Sequence, residues 1–147
     1  QYNRFILIIS PEQENNKNKC SENCRMLGHA ATKMLKGEKS VLLIDLKNNQ
    51  NQILEVAEGI ALSNYNFNKH KTKKEDLCLE YIYLCDKSSK KDITRLQNLI
   101  NAVYLTRDLI NEPFSHLTAK DLAVQAKKST QNIGVKATIL NKKRLKN

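Results

Sequence analysis

Asp108 and Glu112 stand four residues apart in a helical pattern, so both carboxylates lie on one helix face. Two acids at that spacing can chelate a divalent ion. The simpler reading has Asp108 solvated, or paired with Arg107 or a helix cap. Glu75 and Asp76 adjoin a lysine cluster at a strand entrance and suggest no second site. His29, His70 and His116 are far apart, and none falls in an HExxH-type pattern; each reads as structural or exposed. Cys20 and Cys24 share a helix face, while Cys78 lies in an apolar run and Cys85 at its end. Neither pair has the CxxC spacing of a zinc site, so free, buried thiols of a cytosolic protein are expected. No serine sits in a GxSxG elbow, and a chain with 4 Gly has little material for a loop that cradles phosphate. The expectation is therefore that this stretch holds no catalytic, cofactor-binding or metal-binding set of its own.

Any chemistry must be carried by the elements around these groups. A chain of 147 residues is long enough for a genuine core, and 40% hydrophobic with 27% charged residues is a globular composition. Few Gly and only 2 Pro favour long regular elements and argue against a β-sandwich. No apolar run approaches the roughly 20 residues of a membrane span. The net charge is +10 and unevenly spread: from Ser115 to Asn147 eight Lys/Arg face the single acid Asp121. Such a tail can track phosphates, which keeps a basic nucleic-acid-binding α/β module as the alternative function. It lacks the interleaved aromatic residues that single-strand stacking needs, so a solvated helix face is the plainer account.

The apolar runs Arg4–Ser10 and Val41–Leu46 suit strands covered on both faces. Leu77–Leu84 reads as a third strand and Val135–Leu140 as a fourth. Between them, Ser21 can cap a helix from Glu22 that carries Cys24, Leu27, Ala31 and Met34 at helical spacing, closed by Gly37. Ile53, Ala57, Ile60 and Ala61 mark a second helix. Gly59 weakens it unless another backbone packs close there. Tyr65 and Phe67 read as anchors for the following loop. The longest pattern starts at Asp92 and steps through Ile93, Leu96, Ile100, Val103, Arg107 and Ile110. It must stop near Asn111, because Pro113 disfavours helical geometry at Glu112. Thr118 and Asp121 form a capping-box pattern for the next helix, with Leu117 and Leu122 placed as a hydrophobic staple. A last helix begins at Asn141. The order β-α-β-α-β-α-α-β-α predicts an α/β fold with a mainly parallel sheet flanked by helices. It divides as residues 1–91, an N-terminal α/β domain; 92–117, a linker helix and Pro turn; and 118–147, the truncated beginning of a second α/β unit.

The segment Arg107-Asp108-Leu109-x-Asn111-x-Pro113, followed by Leu117-Thr118 and Leu122-Ala123, resembles the hinge of the leucyl aminopeptidase (cytosol aminopeptidase) family. Upstream, Glu58-Gly59, Leu62, Tyr65, Phe67 and Lys71-Thr72 look like a second family signature at a fitting distance. Downstream, Gly134-Val135-Lys136 sits where the first catalytic-domain strand should begin. Ser115, Ala119 and His70 depart from residues common in the family and imply a divergent member. The region before Val41 is shorter than the family's usual N-terminal domain. The resemblance covers about Val41–Asn147. It implies a macro-like N-terminal domain leading into a catalytic domain of a metal-dependent aminopeptidase, with two divalent metal ions (Mn, Zn) held by residues beyond this stretch. It further implies peptide substrates, hexamers, a cytoplasmic location and no membrane. A working macro-type ligand pocket is disfavoured by the scarcity of glycine.

Overall fold

Asn16, not Ser21, starts the first regular element. Its side-chain oxygen accepts from the backbone N–H groups of Asn18 and Lys19, capping helix α1 (Lys17–Met34). Ser21 is thereby one turn inside the helix, and its hydroxyl serves a neighbouring helix instead. The computed structural model describes residues 6–11, 15–46, 50–72, 79–85, 87–131 and 133–144. After α1 come strand β1 (Ser40–Ile44), helix α2 (Gln50–Ser63), strand β2 (Tyr81–Cys85), helix α3 (Lys90–Asn111) and helix α4 (Ala119–Gln131). The chain divides into two compact units, Gln1–Tyr104 and Leu105–Asn147.

The first unit is α/β. β1 and β2 pair in parallel, with Ser40 opposite Tyr81, Leu42 opposite Tyr83 and Ile44 opposite Cys85. Parallel strands need a crossover, and α2 supplies it. Alternation along each strand turns Val41, Leu43 and Ile82 inward, where they pack on a core of Cys24, Leu35, Val56, Ile60 and Leu79. Ile60 and Cys24 are fully buried. Removing an aliphatic side chain such as Ile60 from water stabilises by about 1.5–3 kcal/mol. After α1, Leu35 closes the helix through its N–H to the Ala31 and Thr32 carbonyls, and Gly37 takes φ +90°, as its place in the sequence predicts. Ser89 caps α3 in a box with Asp92, so that helix begins two residues before the expected Asp92. Within this unit Tyr104 donates its hydroxyl to the Ala61 carbonyl and meets Tyr65 edge-on at 5.1 Å. Tyr65 is thus an anchor of the loop after α2, as expected.

Four further expectations fail. Val41–Leu46 is not covered on both faces: Leu42, Ile44 and Leu46 are exposed, because α1 and α2 pack against one side only. Ile6–Ser10 forms no strand, and Ile6 and Ile8 stay exposed; Arg4 and Phe5 lie outside the described residues. Val135–Leu140 likewise forms no strand, and Asn141–Arg144 makes a turn rather than a helix start. A strand exists only through its ladder. Among the described residues, the one sheet is the β1–β2 pair, and neither run joins it. Of the third expected strand, Leu77 and Cys78 lie outside the described residues and Tyr81–Cys85 is present.

In the second unit, α3 ends at Asn111 and Pro113 stands between helices. The Pro113 carbonyl accepts from the N–H groups of His116 and Leu117, which closes the turn. Thr118 then caps α4. Its N–H and hydroxyl donate to the Asp121 carboxylate, and the Asp121 N–H returns to the hydroxyl at 3.4 Å. Leu117 is half-buried and Leu122 exposed. No described residue of this unit is buried.

The hydrogen bonds from the Thr118 hydroxyl and then its N–H hold the Asp121 carboxyl below the ordinary carboxylate range. A depressed folded pKa stabilises above the unfolded value, about 3.9, and that contribution disappears as pH falls through the folded value. Thr118→Ala should return the Asp121 midpoint toward about 3.9 and fray the first turn of α4. Carboxyl NMR titration of both proteins reads this directly.

Candidate functional site

A line of specific side-chain contacts runs along the seam between α1 and α2. Ser21 donates to Glu55, Gln52 reaches the Cys20 sulfur at 3.3 Å, and His29 Nδ1 lies 2.9 Å from the Ser63 hydroxyl. These partners are 34, 32 and 34 residues apart. A near-constant separation means the two helices run in the same direction, as successive crossovers in a parallel α/β unit do. Midway, the Arg25 Nε meets Glu58 at 3.0 Å, and its Nη1 meets Glu22 at 3.5 Å. Burial opposes the Arg25 charge most, yet the Glu58 hydrogen bond and charge outweigh it and hold the guanidinium above its ordinary pKa.

Two glycines make this seam possible. A Cβ on Gly59 would stand 2.1 Å from the Arg25 carbonyl oxygen, and one on Gly28 would stand 2.2 Å from the Val56 carbonyl oxygen. The expected condition for Gly59, close approach of another backbone, is met. Gly28 is its counterpart on α1, three residues past Arg25, and the sequence reading missed it. The signal available was one glycine inside each of two amphipathic patterns separated by a short strand.

At the C-terminal ends of α1 and α2, a cleft of about 380 Å³ opens beside the His29–Ser63 pair. Leu35 and Leu79 are its buried residues, and Lys33 and Lys36 its cations. Asn64 fixes one wall by donating to the Leu79 carbonyl at 2.8 Å and accepting its N–H at 3.3 Å. A serine beside a histidine is part of a nucleophilic triad, but among the described residues no carboxylate lines the cleft to orient His29. Two helix C-termini bring carbonyl oxygens here, where they favour cations. Lys33 and Lys36 therefore read as partners of the helix ends rather than as a ligand cradle.

The other groups weighed in the sequence fall elsewhere. His70 rests against Phe67 at 5.8 Å, and His116 lies in the Pro113 turn. Asp108 is exposed and Glu112 half-buried at the end of α3. Glu75, Asp76 and Cys78 lie outside the described residues. Cys20, Cys24 and Cys85 are free thiols; among these three described cysteines Cys24 is buried, Cys20 half-buried and Cys85 exposed, so the expectation of buried thiols is met at Cys24 and not at Cys85. Among the described residues, no three His, Cys, Asp or Glu side chains converge to hold a metal ion. No described helix is long and apolar enough to cross a membrane.

Comparison with known proteins gives the chain relatives. No family model matches it. The probable cytosol aminopeptidase of Clostridium tetani is 29% identical over 97% of this chain and 32% of its own length. That of Chelativorans sp. is 29% identical over 82% of this chain and 26% of its own length, and that of Corynebacterium diphtheriae 38% over 60% and 19%. The chain thus spans a third or less of the curated relatives it matches, in their N-terminal part. Among solved structures, the bottromycin maturation enzyme BotP in complex with Mn superposes with a TM-score of 0.64 at 18% identity, covering 78% of this chain and 25% of its own. That likeness shows a shared fold.

Burial, then the neighbouring Glu55 and Cys20, push the Cys24 thiol up to about 12 from its ordinary 9.0. A thiol held neutral is a poor nucleophile. With a disulfide reagent at pH about 8, near the ordinary thiol pKa, Cys85 should label first and Cys24 only on unfolding, as mapped by peptide mass spectrometry. A raised folded pKa is also lost stability at alkaline pH. The first unit should therefore weaken as pH climbs from 9.0 toward about 12, and Cys24→Ser should flatten that decline.

Proposed function

We infer, the chain belonging to the leucyl (cytosol) aminopeptidase family and matching the N-terminal part of its relatives, that this stretch is the non-catalytic N-terminal portion of a metal-dependent aminopeptidase that releases N-terminal amino acids from peptides. One observation carries the reading: similarity to a probable cytosol aminopeptidase along 97% of the chain. The shared fold with BotP and the helix–proline–helix junction at Pro113 agree with it. Hydrolysis by this reading takes place in a catalytic domain that follows α4. Two divalent ions, Mn or Zn, would there polarise the scissile carbonyl and activate a water. The described residues of this chain supply no ligand set for such a pair, so no step is assigned to them. Their part is to position that domain through α3 and the Pro113 turn. The partners of this reading are the chain's own catalytic domain and further copies in a homohexamer, in the cytoplasm.

Leucyl-anilide hydrolysis with Mn²⁺ or Zn²⁺ tests it. The 147-residue chain should give no turnover. A product of the same gene that carries the following catalytic domain should give metal-dependent turnover abolished by chelator. Turnover by the present chain alone, or none by the longer product, overturns the assignment.

A further inference from the structure

We propose that Cys20 and Cys24 form a redox switch at the start of the α1–α2 seam: in peroxide the pair closes to a disulfide, and the first turn of α1 opens to let it do so. The two cysteines stand four residues apart in α1, hence on one face of it. That face is turned toward α2. Gln52 donates to the Cys20 sulfur at 3.3 Å, and Cys24 is hydrogen-bonded to Glu55 and to Cys20. Cys20 is half-buried and Cys24 fully buried. An oxidant arriving from solution therefore meets Cys20, and Cys20 is the thiol beside Cys24.

The first turn has to give because of the helix's own geometry. Four residues of α-helix rise about 6 Å, inside the Cα separation that a disulfide spans. Their Cβ atoms lie about 5–6 Å apart on the helix surface, whereas a disulfide holds them at about 3.5–4.5 Å. Closing that difference takes Cys20 out of its helical position. Its hold there is light. Its N–H donates to the Asn16 carbonyl at 3.0 Å, and the Asn16 side chain caps the turn through one bond at 2.9 Å and a long one at 3.4 Å, both exposed. Cys24 is a turn deeper, in the core cluster, and stays in place. The chemistry balances with peroxide as the oxidant. The Cys20 thiol takes one oxygen from hydrogen peroxide, giving a sulfenic acid and water. The Cys24 sulfur then attacks the Cys20 sulfur and the S–O bond breaks. Glu55 accepts the Cys24 proton and returns it to the departing hydroxide, so the second product is water. A thiol as reluctant to ionise as Cys24 reacts here because its target is held beside it. Closure draws Cys20 off Gln52 and, one residue on, loosens the Ser21–Glu55 bond. This inference rests on α1 and α2 and not on the peptidase reading.

Peptide mass spectrometry of the native 147-residue chain after hydrogen peroxide, with free thiols alkylated before digestion, tests it. Trypsin cuts after Lys19 and Arg25, so both sulfurs fall on the one peptide Cys20–Arg25. That peptide is expected unalkylated and lighter by two hydrogens, and dithiothreitol should restore both thiols. In Cys24→Ser the Cys20 sulfenic acid should persist and be trapped by dimedone. Asn16→Ala removes the cap without touching either sulfur. It should speed closure about fivefold, the factor by which losing such a cap shifts the opening of the turn. A peptide that keeps both thiols overturns the proposal. So does Cys20 carried on to the sulfinic acid beside a free Cys24, or a disulfide that joins Cys20 to another copy. Closure at the same rate in Asn16→Ala and the parent also overturns it, since opening of the turn would then play no part.

Discussion

The close approach of α1 and α2 through Gly28 and Gly59 is the constraint on which the first unit depends. Each glycine lies against backbone of the other helix, with no room for a methyl group. Glycine inside a helix costs roughly 1 kcal/mol against alanine. That cost is offset by what the contact brings together. With the two backbones this near, Cys24 and Ile60 lose all solvent contact, and Val56 reaches the same cluster. The polar partners Ser21–Glu55 and Arg25–Glu58 fall into register along the same line. A methyl group at either glycine would push the helices apart and loosen this packing.

From that crossing the sheet follows. Two helices running the same way on one side of a parallel strand pair make a single covered layer. Val41, Leu43 and Ile82 face it, and the strands keep their alternate residues outside. The first unit thus has one buried seam, with polar pairs spaced along it from Ser21–Glu55 through Arg25–Glu58 to His29–Ser63. The His29–Ser63 cleft belongs to that geometry. It is where two helix C-termini finish, so its lysines stand beside the negative ends of two helix dipoles and its asparagine satisfies the Leu79 backbone.

Most of the helical part was legible in the sequence, because caps and periodicities are local. Pro113, Thr118 and Asp121 do what their order dictates, and α3 stops at Asn111 for the reason its sequence contains. Gly59 carried its own conditional statement, and the condition holds. Less was legible where the answer lies in a partner far along the chain. Val135–Leu140 and Ile6–Ser10 have strand-like composition, yet a strand is a pairing and neither run has one here. Asn16 displaced Ser21 as a cap because both residue types serve, and only the extent of the helix decides between them. The seam itself, with partners 32–34 residues apart, could not be read without knowing that α1 and α2 run side by side.

The most direct test of the crossing is the stability of the Gly59→Ala protein, followed by denaturant unfolding and by amide exchange resolved over α1, α2 and α4. Overpacking against backbone that cannot yield should destabilise the first unit by about 2–3 kcal/mol or more. Protection should then be lost across α1 and α2 while the cap of α4 remains. A Gly59→Ala protein within about 0.5 kcal/mol of the parent, the range of an ordinary surface change, with α1 and α2 still protected, would contradict the account.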